Sequence, residues 1–145
     1  MKTDTHIMVI DDNEDILRML QAMLRHKGYQ VSILQDTDTL EASVKDIAPD
    51  IILMDMLLSG ADGRELCSAL KSNAFSQSIP VIMLSAHPQA RTECLAAGAN
   101  YFIEKPFEMA DLFNTVAKAE IDIGKINESP VLKNNPFKNH HKGDD

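Results

Sequence analysis

The chain repeats one alternation: a short apolar run, a polar stop, then apolar residues at the spacing of one helical face. His6-Ile7-Met8-Val9-Ile10, Ile51-Ile52-Leu53-Met54 and Val81-Ile82-Met83-Leu84 read as strands. Runs this continuously apolar fit a sheet buried on both sides, as parallel sheets covered by helices are. Tyr29-Gln30-Val31-Ser32-Ile33-Leu34 alternates at period two, the pattern of a strand with one half-exposed face. Tyr101-Phe102-Ile103-Glu104 is the fifth run.

Between and after these runs the period changes to that of a helix. Ile16, Leu17, Leu20, Met23 and Leu24 form one apolar face, stopped by Gly28. Leu40, Val44 and Ile47 form a second, ended by Pro49, and Leu66, Ala69 and Leu70 a third after Gly60 and Gly63. Cys94, Leu95 and Ala97 belong to a short helix closed by Gly98. Met109, Leu112, Phe113, Val116 and Ala117 belong to a last one ending between Ile121 and Gly124. Five βα units predict an α/β protein: one doubly wound (βα)5 parallel sheet with helices on both faces and right-handed crossovers. The 145 residues suit one domain, expected over 1–124. From about Lys125 to Asp145 Asn, Lys, His, Gly and Asp dominate, and a disordered tail is expected.

Composition narrows the class further. Hydrophobic residues make up 44%, enough for a core. No apolar run approaches the roughly 20 residues of a membrane span. The polar start Met1-Lys2-Thr3-Asp4-Thr5 gives no sign of a signal peptide. The net charge of −8 argues against nonspecific nucleic-acid binding. Cys67 and Cys94 have no paired spacing, which favours reduced thiols and a cytoplasmic setting.

The polar stops carry the chemistry. Asp11 and Asp12 follow the first run, Asp55 the third, Ser85 the fourth, and Lys105-Pro106 the fifth. In an open α/β sheet ligands bind outside the carboxyl ends of the strands. Parallel strands therefore bring three acids, a hydroxyl and an ammonium to one edge. Two carboxylates near 4 Å repel by about 4 kcal/mol at an effective dielectric of 20. A hard divalent ion relieves this, and Mg²⁺ prefers one or two carboxylates with water and phosphate oxygens. Such a pocket suits a phosphoryl group with Asp55 as nucleophile. Taken singly each residue has a plainer account: Asp11-Asp12 as caps for the following helix, Asp55 as a loop acid, Lys105 as a strand-end charge.

Together these residues resemble the receiver domains of two-component response regulators. The resemblance spans roughly residues 5–123. It rests on Val9-Ile10-Asp11-Asp12-Asn13, Lys27-Gly28-Tyr29 and Pro49-Asp50-Ile51-Ile52-Leu53-Met54-Asp55 with Gly63. Ser85-Ala86, Ala97-Gly98-Ala99 and Lys105-Pro106-Phe107 complete it. It implies a flavodoxin-like sheet of order 2-1-3-4-5. It implies that Asp55 accepts phosphate from a histidine kinase or a histidine phosphotransfer protein. It implies Mg²⁺ held by Asp11, Asp12, Asp55 and the backbone carbonyl of Leu57, with Ser85 and Lys105 on the phosphoryl oxygens. Ser85 and Phe102 would form the switch pair, Phe102 turning into the space that Ser85 vacates on phosphorylation. The protein is then a phosphorelay signalling component acting on a downstream protein target, not an enzyme beyond its own phosphoryl transfer and dephosphorylation. No direct nucleic-acid or membrane contact is expected, and a phosphorylation-linked dimer is left open. A small Mg²⁺-dependent phosphatase with an aspartyl nucleophile is the alternative, disfavoured by Leu57 where such enzymes carry an acid. A phosphate-independent interaction module is another, disfavoured by the intact acid set.

The sequence departs from the family pattern in places. Ser59 stands where Pro is usual and Leu58 where Met is common, so a looser loop is expected after Asp55. Leu57 and His87 occupy positions that flank the phosphate. Phe102 lacks a hydroxyl. The stretch from Ser85 to Lys105, with Pro88 inside it, is short, so a short or displaced fourth helix is expected. Met19, Met23, Met83 and Met109 read as core filling, and Phe107 as packing under the last helix. His140-His141 with Asp144-Asp145 reads as solvated tail rather than a metal site, and Phe137 as a lone apolar residue.

Overall fold

The computed structural model describes residues 4–58 and 60–124. The elements are β1 (His6–Ile10), α1 (Glu14–His26), β2 (Gln30–Leu34), α2 (Leu40–Ile47) and β3 (Ile51–Asp55). Then follow β4 (Leu57–Leu58), β5 (Ala61–Asp62), α3 (Gly63–Ser72), β6 (Val81–Ser85), α4 (Ala90–Ala96), β7 (Tyr101–Glu104) and α5 (Met109–Asp122). Five strands form one sheet in the order β2-β1-β3-β6-β7, every pair parallel. This is the expected 2-1-3-4-5 order. Its numbering is shifted by β4 and β5, a separate antiparallel pair in the stretch expected as loop.

Strand side chains alternate between the two faces, so each strand feeds two cores. Ile10, Ile52, Met54, Met83 and Phe102 pack with Leu40, Val44, Cys67, Leu70 and Cys94 from α2, α3 and α4. Val9, Ile51, Leu53, Ile82 and Ile103 pack on the other side with Leu17, Leu20, Leu24, Leu112 and Val116 from α1 and α5. Each such side chain contributes about 1.5–3 kcal/mol by leaving water, and the strands apolar on both faces, β1, β3 and β6, are the interior ones.

Local signals set the ends. The Asn13 side chain accepts from the Ile16 amide, so Asn13 caps α1 rather than Asp11 or Asp12. Gly28, at φ 107°, closes α1 with its amide on the Arg25 carbonyl. Before Pro49, Ala48 takes the left-handed conformation (φ 51°) and bonds back to the Val44 carbonyl. The fourth helix is short, as expected: seven residues, with no side-chain cap at its start.

Two expected core residues lie outside. Met19 and Met109 are each 48% exposed. The buried stripe of α1 runs through Leu17, Leu20 and Leu24, off the side of Met19, and Met109 begins the first turn of α5. Met83 is fully buried, Met23 is half-buried, and Phe107 packs half-buried against the α1–α5 core. Glu120 was not foreseen in the interior. It is 3% exposed and accepts from Thr5 Oγ1 at 2.6 Å and the Tyr29 hydroxyl at 2.9 Å. The residues of the expected tail, 125–145, and Ser59 lie outside the described residues, and with them the readings of His140, His141, Asp144, Asp145 and Phe137. Among the described residues no helix is long and apolar enough to cross a membrane.

Candidate functional site

Strand register brings the polar stops to one edge. Ile10 pairs with Met54, so the next residues along, Asp11 and Asp55, emerge side by side. Asp55 pairs with Leu84, which places Ser85 one step further. Ser85 pairs with Glu104, and the Lys105 amide donates to the Ser85 carbonyl at 2.9 Å. The Lys105 Nζ donates to Asp55 Oδ1 at 2.8 Å. The two side chains are 25% and 13% exposed, so this ion pair is sheltered yet open to a small ligand. The Lys105–Pro106 peptide is cis.

Asp11 is the most buried acid of the set, at 2% exposure. Its Oδ1 accepts from the Asn13 amide at 2.9 Å. Its Oδ2 is buried with no hydrogen-bond partner among the described residues. Its carboxyl is pushed above the usual carboxylate range, first by burial and then by the nearby charges of Asp55 and Asp12. The Asn13 amide and Lys105 pull the other way. Asp11, Asp12, Asp55 and Lys105 thus share one electrostatic environment. An unpartnered, buried carboxylate oxygen beside two more acids is the donor chemistry a hard cation uses. Among the described residues no group of three or more His, Cys, Asp or Glu side chains is arranged to hold a metal ion by itself. A cation at this edge therefore needs backbone, water or phosphate oxygens as well, which is the manner of Mg²⁺.

Gly63, eight residues after Asp55, has a steric reason. A Cβ there would lie 2.6 Å from the Asp55 carbonyl oxygen and 2.9 Å from that of Met56. Its amide donates to the Met56 carbonyl at 2.8 Å. The start of α3 is thereby pressed against the backbone that carries Asp55. Leu57, two residues past Asp55, lies in β4 opposite Asp62, with its side chain 63% exposed. Asp62 caps α3 through the Arg64 amide, and hydrogen bonds from the Arg64 guanidinium hold its carboxyl below the usual range. The same guanidinium reaches Glu93 of α4 at 2.6 Å.

Ser85 is buried, and its Oγ accepts from the His87 amide at 3.0 Å. His87 Nδ1 in turn accepts from the Gln89 amide at 3.1 Å, just before α4. Phe102 is already turned inward, 9% exposed, with the Arg91 guanidinium 5.1 Å from its ring centroid. Beside Lys105 a groove of about 510 Å³ runs between α1 and the start of α5. It is lined by Ile16, Met19, Leu20, Met23, Leu84, Ala86, Pro106, Phe107 and Met109.

The structure thus gathers Asp11, Asp12, Asp55 and Lys105, sets Ser85 and Leu57 in the segments adjoining them, and leaves Phe102 one strand pair away. Sequence reasoning missed Arg64, Glu93 and Arg91. An exposed charge on a helix carries no signal until the fold shows what it faces.

An open parallel sheet with an acidic, lysine-bearing pocket at its carboxyl edge defines a doubly wound α/β protein with polar groups gathered where such sheets place their ligands. The family model described as "Response regulator receiver domain" matches residues 7–117, and the chain belongs to that family. The response regulator PleD of Caulobacter vibrioides is 37% identical over 112 residues, which cover 76% of this chain and 25% of PleD. Across the curated relatives named PleD and MtrA, this chain spans about a quarter to a half of the relative's length. A putative response regulator from Chloroflexus aurantiacus superposes with TM-score 0.76 at 28% identity, over 81% of this chain and 98% of that one. The receiver domain of the sensor histidine kinase PA1611 from Pseudomonas aeruginosa does so with TM-score 0.73 at 30% identity, over 84% and 99%. That structure holds a magnesium ion coordinated in its active-site cleft.

Proposed function

We propose that this receiver domain accepts a phosphoryl group on Asp55 from a phosphohistidine. One Asp55 carboxylate oxygen attacks phosphorus, the P–N bond to the donor imidazole breaks, and its electron pair returns to that ring. The product is an acyl phosphate. The observation that carries this reading is the Lys105–Asp55 ion pair beside the buried, unpartnered Asp11 oxygen. Lys105 would follow the transferred phosphoryl oxygens, and the Ser85 hydroxyl would donate to one of them. Asp11, Asp12, Asp55 and the Leu57 carbonyl would hold Mg²⁺, which neutralises phosphoryl charge when bound. Catalysis of this kind is positioning and charge compensation.

The domain over residues 1–124 then works in a phosphorelay. A kinase or phosphotransfer protein would dock against the apolar groove between α1 and the start of α5, where Met19 and Met109 are exposed next to Lys105. A downstream protein would read the surface around α4. The test is incubation of the full chain with a small phosphodonor, with and without Mg²⁺. Wild type is expected to take up hydroxylamine-labile phosphate in a Mg²⁺-dependent manner, and Asp55→Asn none. Label retained on Asp55→Asn refutes the assignment.

A further inference from the structure

Asp12 leads from β1 into α1 and belongs to neither. The first hydrogen bond of α1 runs from the Leu17 amide to the Asn13 carbonyl at 3.0 Å, so the Asp12 carbonyl lies ahead of the helix ladder. It accepts from the Gln35 side chain, with Nε2 at 2.9 Å. Gln35 is 23 residues away in sequence, and the pairing of β1 with β2 brings it there. Ile10 lies opposite Leu34, and the Asp11 amide donates to the Leu34 carbonyl at 3.2 Å. The backbone on either side of Gln35 is held. Leu34 ends β2, and the Asp36 carboxylate accepts from the Asp38 amide at 2.9 Å to cap the short turn Thr37–Thr39.

The same peptide unit is gripped at its other end. The Asn13 N–H, which follows the Asp12 carbonyl, donates to Asp11 Oδ1 at 2.9 Å. Gln35 thus holds the oxygen of a peptide whose N–H fixes the Asp11 carboxylate and leaves Asp11 Oδ2 buried with no hydrogen-bond partner among the described residues. Rotation of that peptide would break both bonds at once, releasing the Asp11 carboxylate and redirecting the backbone from which the Asp12 carboxylate projects. A donor at one end of a peptide also strengthens the bond made at the other, because each polarises the next. A carboxylate at position 35 could not donate, and would add negative charge to an edge that already carries Asp11, Asp12 and Asp55.

We propose that Gln35 is a positioning residue for the cation site: through the Asp12–Asn13 peptide it sets the Asp11 and Asp12 carboxylates in place before a divalent cation arrives. This rests on the reading of Asp11, Asp12 and Asp55 as Mg²⁺ ligands. Partners that bond directly to a metal-ligating group are typically worth about 10–100-fold in metal affinity. Gln35 acts one peptide further away, and its loss removes one hydrogen bond, so a factor of about two to ten is expected.

The experiment titrates the isotope-labelled full chain with Mg²⁺ alone and follows it by NMR. The proteins are wild type, Gln35→Met, Gln35→Glu and, as a control, Gln30→Met at the opposite end of β2. Methionine and glutamate keep the length of the side chain but offer no N–H donor. Before any metal is added, the Asn13 amide signal should be displaced in both Gln35 variants and unchanged in the control. Gln35→Met should then bind Mg²⁺ about two- to ten-fold more weakly than wild type, and Gln30→Met as tightly as wild type. An Asn13 signal that keeps its wild-type position in both Gln35 variants overturns the proposal. So does a displaced signal with unchanged Mg²⁺ affinity in Gln35→Met, since that marks a purely structural bond, or an equal loss of affinity in Gln30→Met. These outcomes leave the ligand reading standing. Wild type that binds no Mg²⁺ overturns the ligand reading itself, and this inference with it.

Discussion

Replacing Gly63 with alanine tests how the phosphoacceptor segment is held. Added at Gly63, a Cβ lies 2.6 Å from the Asp55 oxygen, 2.9 Å from the Met56 oxygen and 3.0 Å from the Met56 Cα. Ordinary contact begins near 3.4 Å, so the worst pair must separate by roughly 0.8 Å. All three obstacles are backbone, and no rotamer change relieves them. Either α3 retreats, straining the Gly63–Met56 hydrogen bond of 2.8 Å, or the end of β3 shifts and carries the Asp55 carboxylate with it. Overpacking of this kind costs about 1–3 kcal/mol. Alanine's better helix propensity offsets less than about 1 kcal/mol of it at a helix start. The expected net is a loss of about 1–2 kcal/mol in urea denaturation, with slower uptake of phosphate from a small donor. Gly60→Ala is the control. Gly60 has nothing within 4 Å of an added Cβ but sits at φ +74°, so its substitution costs about 1–2 kcal/mol of backbone strain without touching Asp55. It should lose stability and keep the phosphorylation rate. A Gly63→Ala protein as stable as wild type, with an unchanged rate, refutes the close-approach argument.

Two further outcomes follow from buried groups. Asp11→Asn keeps an acceptor for the Asn13 amide and removes charge from a buried, unpartnered oxygen. The metal-free variant should therefore be at least as stable as wild type at neutral pH. Mg²⁺ at a hundred times the wild-type Kd, worth about 2.7 kcal/mol to wild type, should add nothing to it; equal stabilisation of the variant, seen in urea midpoints, contradicts Asp11's assignment. The two tyrosines report on the interior. Tyr29 is raised well above the usual phenol range by burial and then by Glu120, and Tyr101 to about 12 by burial and then by Asp122. Each phenol holds its proton more tightly folded than unfolded. The stability this contributes is complete below pH about 10 and is lost as pH rises through the folded values. Denaturation midpoints should fall only above that point, and a tyrosine equivalent of phenolate absorbance appearing near pH 10 in folded protein would contradict it.

How much was legible in the sequence depended on whether burial or apposition did the work. Strand identity, sheet order and the pocket edge could be read because burial on both faces writes itself as continuous apolar runs, and the polar residue ending each run marks the carboxyl edge. The helical stripe of α1 was legible for the same reason, but the expectation of Met19 in the core fails, since its apolar side chain lies beside a stripe already filled by Leu17, Leu20 and Leu24. The β4–β5 pair left no pattern because two residues cannot show a period. Glu120, near the end of α5, carries no sign of burial in the sequence. Only the fold brings it against Thr5 and Tyr29, 115 and 91 residues away in sequence. Arg64 and Arg91 fall in the same class, since charges gain meaning from partners on other elements.

The distribution of support around the sheet decides where a perturbation at Asp55 can travel. α1 has thirteen residues, a side-chain cap at Asn13 and three fully buried leucines. Moving it breaks the α1–α5 core along its length. α4 has seven residues, no side-chain cap, and only Ala90 and Cys94 buried. Its other anchors are polar and exposed: the His87 turn, the Arg64–Glu93 pair and the Arg91 contact with Phe102. Solvent screens such pairs, so each holds the helix only weakly. Local opening therefore costs less at the β6–α4 turn than along α1. Ser85, at the end of β6, touches both that turn and the pocket edge. On the proposed function, a charge added at Asp55 that draws on Ser85 would act on a weakly held helix while α1 stays in place, so the rigid face would receive the donor as the opposite face changes what it presents.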